Sequence, residues 1–253
     1  MATRRDLIKG TLAGALVPGQ FIGSIAFGAA AAPALGTIRA VTITAGDLSA
    51  VEAAWTKYLE YRVVERGTIS KETAASWEAP AVAGKPFISL GPKSGEPTYL
   101  RFVQQAPIPD YNYSRTFGWQ ATEITVQNGD ELYERIKDSP FKVNGPPRGI
   151  PTYPYLKAMG GTTGPGGEKI HLTWITEKRP DLAVAESFVG RVFIVTQGVP
   201  DLPQALEWYK TTFGNQYSPI RKLPSIALSV VTLKNGTKIE VDDFKDKGQP
   251  RRK

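Results

Sequence analysis

The chain has one histidine and no cysteine in 253 residues. Its chemistry must therefore come from a single imidazole, carboxyls, phenols and guanidinium groups. A disulfide framework, a thiolate nucleophile and a thiolate metal site are all excluded. His171 lies in Lys169-Ile170-His171-Leu172-Thr173-Trp174-Ile175. Strand alternation puts it on one face with Lys169 and Thr173, and Ile170 and Leu172 on the other. An imidazole titrates near neutral pH, so His171 can act as general base or acid, or serve as a hydrogen-bonded strand histidine. Tyr99 and Arg101 share one face of Thr98-Tyr99-Leu100-Arg101-Phe102-Val103. The phenol can donate a hydrogen bond to a substrate oxygen or fill an interior. Arg101 can clamp an anionic group or form an ion pair with Glu123. Glu123, in Ala121–Val126, would be costly to bury unpaired, so it needs a partner, a substrate or a proton. The glycine run at 160–167 lacks the Lys-Ser/Thr ending of a phosphate loop and leads into a strand. No Gly-x-Ser-x-Gly elbow is present.

The elements that must hold these residues repeat along the chain. Three stretches share one order: a β-branched strand, a turn, an amphipathic helix, and further strands closing after a glycine turn. The first begins at Ala40–Thr44. Its helix carries Val51, Trp55, Tyr58 and Leu59 at helical spacing, and Ser49-Ala50-Val51-Glu52 fits a capping box. The second begins at Ala121–Val126, turns at Asn128-Gly129-Asp130, and its helix stops before Pro140. The third begins at Val192–Thr196, has Asp201 as N-cap and Gly214 as C-cap, and turns a hairpin at Asn235-Gly236 before Thr237–Val241.

Thr44-Ala45-Gly46-Asp47-Leu48 after the first strand, with Gly167-Glu168-Lys169-Ile170-His171-Leu172 and Gly236-Thr237-Lys238-Ile239-Glu240-Val241 at the last strands, resembles the vicinal oxygen chelate superfamily. That group includes glyoxalase I, bleomycin-resistance proteins and extradiol dioxygenases. The resemblance implies an α+β fold of repeated βαβββ units, with curved mixed sheets around a cavity formed by two paired units. The expected segments are 35–106, 107–180 and 181–244, and an odd number of units leaves one to pair across a homodimer or cap the barrel. The family's metal-ligand positions fall here on Ala40, Ala121 and Val192, which cannot ligate, and on Tyr99, His171 and Glu240. That is not a usual ligand set, so neither metal nor cofactor is expected. Tyr99 then stands where a metal would polarise the substrate, and His171 points into the cavity. Glu240, without an assigned partner unit, reads as structural, and Asp242 and Asp243 as a solvated strand end. Trp119, Tyr111, Tyr113, Tyr153 and Tyr155 lie in or beside proline-rich stretches. They are expected to rim a mostly apolar pocket for a flat, small-molecule substrate.

Residues 1–34 form the remaining segment. Thr3-Arg4-Arg5-Asp6-Leu7-Ile8-Lys9 and the weakly apolar run after it resemble a twin-arginine export signal, with cleavage expected within Ala30–Ala34 and a periplasmic destination. The run is too weakly apolar for a stop-transfer helix, so no stable membrane insertion is expected after cleavage. The formal charge of +7 is concentrated in this segment and in the basic tail 245–253, which is expected to be disordered. The body is near neutral, and no basic face suited to nucleic acid is expected. These features lead to an exported, metal-independent lyase or isomerase acting on a small carbonyl- or carboxyl-bearing, potentially aromatic compound. His171 would move the proton while Tyr99 and Arg101 stabilise negative charge. The alternatives are a binding protein of the bleomycin-resistance type and a metal-dependent glyoxalase- or dioxygenase-like enzyme.

Overall fold

The computed structural model describes residues 34–106, 112, 113, 115–151 and 153–250. Residues 1–33 of the expected export segment, and Tyr111, lie outside the described residues. No described helix is long and apolar enough to cross a membrane.

The first unit consists of β1 (Ala40–Ala45), α1 (Leu48–Tyr58), β2 (Arg62–Thr68), α2 (Lys71–Ser76), β3 (Pro86–Gly91) and β4 (Tyr99–Gln104). Its sheet has the order β1-β4-β3-β2, with β1 and β4 parallel. The α1 cap differs from the expected capping box. Asp47 is the N-cap, accepting from the amides of Ser49 and Ala50 at 2.9 and 3.0 Å. Glu52 instead pairs with Arg66 at 2.6 Å. A carboxylate satisfies exposed first-turn amides more strongly than a hydroxyl does.

The second unit is β5 (Gly118–Val126), α3 (Gly129–Ile136), β6 (Arg148–Ile150), β7 (Tyr153–Thr163) and β8 (Lys169–Ile175). The third is β9 (Val189–Val199), α4 (Leu202–Phe213), β10 (Arg221–Lys222), β11 (Ala227–Thr232) and β12 (Lys238–Asp243). Asn128 and Asp201 cap α3 and α4. Gly214, at φ 70°, ends α4 in the left-handed conformation that glycine tolerates. Asn235 and Gly236 both have positive φ, as the tight hairpin between β11 and β12 requires.

These two units share one sheet, ordered β10-β11-β12-β9-β5-β8-β7-β6. The seam is the antiparallel β5–β9 pair, with Glu123 opposite Ile194 and Gly118 opposite Gly198. The third unit therefore has its partner inside the chain, and the first unit keeps a sheet of its own.

One buried cluster joins the helix sides of the first two units: Trp55, Leu90, Leu100 and Phe102 pack with Ile124, Leu132, Phe141, Ile170 and Leu172. A second lies under α4, where Leu202, Leu206 and Tyr209 cover Val231, Ile239 and Val241. The tail is not free as far as Pro250. The amide of Gln249 donates to the Arg115 carbonyl at 2.7 Å, and that of Phe117 to the Gln249 carbonyl at 2.8 Å. The Lys245 ammonium is held by the carbonyls of Leu223 and Pro224.

Candidate active site

The apolar faces of the strands fix where the polar faces look. In β8, Ile170 and Leu172 enter the core, so Lys169, His171 and Thr173 face away from it. In β12, Ile239 and Val241 lie under α4, which turns Lys238, Glu240 and Asp242 outward. In β5, Ile124 is in the core and Glu123 faces away. The open face of the eight-stranded sheet thus carries Glu123, His171, Thr173, Glu240 and Asp242. The sheet curls until its margins meet: the Arg221 guanidinium on edge strand β10 lies 4.5 Å from the ring centroid of Tyr153 on β7, six strands along. The face is therefore a cup.

Glu123 and His171 are register partners on parallel neighbours, spaced by about 4.8 Å between strands. The Thr173 hydroxyl donates to Glu123 Oε2 at 3.2 Å. Burial pushes the Glu123 carboxyl up to about 7, against the Thr173 hydrogen bond and with help from the Asp242 charge. Glu240 is pushed up to about 8 by burial and by the charge of Glu123, with Arg221 opposing. Asp242 is also raised to about 8, by burial and then by Glu240. Burial alone lowers His171, leaving the imidazole neutral near pH 7. Glu123, His171 and Glu240 keep partial solvent exposure, as groups at the base of a concave surface do. Asp242 Oδ1 is fully enclosed and has no hydrogen-bond partner.

Beside the acids is an apolar cluster of Leu156, Leu182, Ala183, Phe193 and Ile194, joined by Ile150, Ile175 and the two tyrosines Tyr153 and Tyr155. The tyrosine rings are 5.9 Å apart. A β-bulge between Met159 and Thr162 contains Gly160 and Gly161, the latter at φ 69°. A Cβ at Gly160 would lie 3.5 Å from His171 Nδ1, so the bulge leaves room beside the imidazole.

Of the expected site residues, Glu123, His171, Tyr153 and Tyr155 come together. Tyr99 and Arg101 do not join them. They lie on β4, in the other sheet, because the second unit pairs with the third and not with the first. Arg101 stacks over Phe87 and Trp77 at 5.2 and 5.7 Å. The Tyr99 ring packs against Gly91. Trp119 is half exposed at the start of β5, opposite Gln197. The Tyr113 ring lies 5.0 Å from the Lys169 ammonium. Glu240 and Asp242 both face the cup, since sheet curvature brings alternate β12 positions into it, and Asp242 is buried where a solvated strand end was expected. The glycine-turn spacing pointed to Glu240; for Asp242 the only signal was its place two residues further along the same strand.

No protein-family model matches the sequence, and comparison with curated proteins finds no match. Solved structures do match. Glyoxalase I from Zea mays aligns with a TM-score of 0.60 at 14% identity, covering 84% of this chain and 69% of that one. The chain has the glyoxalase fold. A putative dioxygenase from Bacillus subtilis (TM-score 0.41, 12% identity, 87% and 93% covered) and methylmalonyl-CoA epimerase from Mycobacterium tuberculosis (0.39, 15%, 51% and 89%) are more distant.

In proteins of the glyoxalase fold the cup is where a metal would be sought. Here the donors are three carboxyls and one imidazole on three strands. Among the described residues, no three such groups are close enough together to hold one ion. The arrangement does not fit a metal centre, and no step below passes through one.

The raised carboxyls have a stability consequence. A carboxyl whose folded value lies above its unfolded one stabilises the fold fully only below the unfolded value. That contribution is lost as pH rises through the folded value. For Glu240 the window runs from about 4.5 to about 8. Glu240→Gln is therefore expected to be neutral at pH 4 and to stabilise the fold at pH 9, by at most about 5 kcal/mol. Thermal melts of both proteins across that range check this.

Proposed function

We propose that the chain is a metal-independent enzyme that moves a proton on a small carbonyl- or carboxyl-bearing compound, in a lyase or isomerase sense, inside the cup of the second and third units. The carrying observation is that Glu123 on β5 and Glu240 on β12, the two strands flanking β9, face the same cup, where burial raises both carboxyls, to about 7 and about 8. Such a pair can supply a base and an acid from identical chemistry. Glu123, held by Thr173, takes the proton from carbon next to a carbonyl. Glu240 donates to the oxygen where negative charge develops. The neutral imidazole of His171 orients the substrate oxygen or relays the proton. Among proteins of this fold, glyoxalase I supports an enzymatic role by analogy.

The test is deuterium uptake in D2O by a panel of small 2-oxo and 3-oxo acids, followed by proton NMR. Wild type should exchange the proton next to the carbonyl, and Glu240→Gln and His171→Ala should slow it. Saturable binding without exchange across the panel would favour the binding-protein reading, which the tyrosine-lined wall of the cup also supports.

We also propose that Arg4 and Arg5 direct export of the folded protein to the periplasm. Replacing both with lysine is expected to leave full-length precursor in the cytoplasm. Cell fractionation and N-terminal sequencing of the wild-type product would check this and locate the cleavage site.

A further inference from the structure

Arg221 is not used by the proton-transfer chemistry, yet it stands at the mouth of the same cup. It is half-buried on a two-residue edge strand and stacked on Tyr153 of the opposite margin. Among the described residues, no carboxylate forms an ion pair with it, although its charge acts on both Glu240 and Tyr153. The neighbouring arginine differs. Arg179 stacks on Tyr155 at 4.2 Å but is already paired with Asp181 at 3.2 Å. Lys238 shares the cup face, and burial disfavours its ammonium form. Arg221 is thus the cation there with a free hydrogen-bonding fork, and its stack on Tyr153 limits the directions in which that fork can point.

We propose that Arg221, positioned by Tyr153, is the anion-recognising group of the cup, and that the substrate is a small planar monocarboxylate bound by its carboxylate to this guanidinium. The inference rests on the cup being the reactive site and narrows the substrate class for it. A guanidinium fork matches a carboxylate through two parallel hydrogen bonds. Tyr153 and Tyr155, with Ile150, Ile175 and Phe193, offer a flat apolar wall for the rest of the molecule. Tyr153 feels the charges of both Glu240 and Glu123, so a molecule anchored at Arg221 lies in the same cup as those carboxyls. A dianion such as a phosphonate would set a second negative charge against the acidic floor and is selected against.

The sole histidine makes the test direct, because its ring nitrogens give the only imidazole signals in a nitrogen-15 spectrum of untagged protein. Benzoate, benzamide and phenylphosphonate are titrated into wild type, Arg221→Gln, Arg221→Lys and Tyr153→Leu, with amide dispersion reporting the fold. Benzoate should shift the His171 signals and bind about tenfold to a hundredfold more weakly to Arg221→Gln. Arg221→Lys and Tyr153→Leu should fall between, and benzamide should bind weakly and equally to wild type and Arg221→Gln. If benzoate moves His171 but binds Arg221→Gln as well as wild type, Arg221 is not the anion site, while the cup reading stands. Benzoate binding that leaves His171 unmoved, no benzoate binding, or a preference for phenylphosphonate overturns the proposal. Deuterium exchange judges the acid–base reading separately, since it does not depend on benzoate.

Discussion

Glu123→Gln is expected to slow proton exchange on the substrate by about a hundredfold to ten-thousandfold, the range for losing a positioned general base. The substitution is nearly isosteric, and the amide oxygen can still accept the Thr173 hydroxyl that now lies 3.2 Å from the carboxylate. Substrate affinity should therefore change little, and the loss should appear in kcat. The pH profile gives an independent check. With Glu123 near 7 and Glu240 near 8, the pair exchanges fastest between those values and more slowly on either side. Glu240→Gln should remove the alkaline limb and Glu123→Gln the acid one. A profile that remains flat from pH 5 to 10 in wild type would count against the pair as the proton-transfer machinery.

Trp55→Ala is expected to destabilise the fold by about 3–5 kcal/mol. Trp55 is fully buried where the first unit meets the second, with its ring 5.0 Å from Tyr61, 5.7 Å from Phe141 and 5.8 Å from Phe102. Its indole Nε1 also donates to Glu168 Oε1 at 2.7 Å, and Glu168 Oε2 has no partner. Removing the indole would leave a cavity and a buried carboxyl that has lost its side-chain donor. Trp55→Phe separates the two effects, retaining most of the volume and costing about 1–3 kcal/mol for the unsatisfied acceptor. Burial raises the Glu168 carboxyl to about 7, with the indole hydrogen bond opposing. Its stabilising contribution is complete below about 4.5 and is lost as pH rises through 7. Glu168→Gln keeps an acceptor for the indole and removes that loss. Denaturant unfolding of the three variants at pH 5 and pH 8 measures all these terms.

The repeat was legible because each unit announces itself locally, through alternating strands, a capped helix and a glycine turn. The spacing from Gly167 to His171 and from Gly236 to Glu240 placed both residues on the strand face where the structure has them. Which units pair was not legible. That choice depends on the edges of β5 and β9 finding each other across a long stretch of chain, and no local pattern encodes it. Tyr99 and Arg101 carried the same local signals as His171, yet their sheet does not take part in the cup. Arg101 also lies over Phe87 and over Trp77 at the end of α2. Asp242 looked solvated because its run is acidic. Strand alternation and sheet curl, taken together, bury it.

The shared core of the first two units bears on how the chain is made. Synthesis delivers the first unit while Leu90, Leu100 and Phe102 still lack Ile124, Ile170 and Leu172, the side chains they pack against. An early fragment ending near residue 106 would leave that apolar surface in water. The first unit is therefore not a detachable module that matures alone on the ribosome. It waits for β8, some seventy residues later, and any chaperone that escorts the nascent chain has that interval in which to bind.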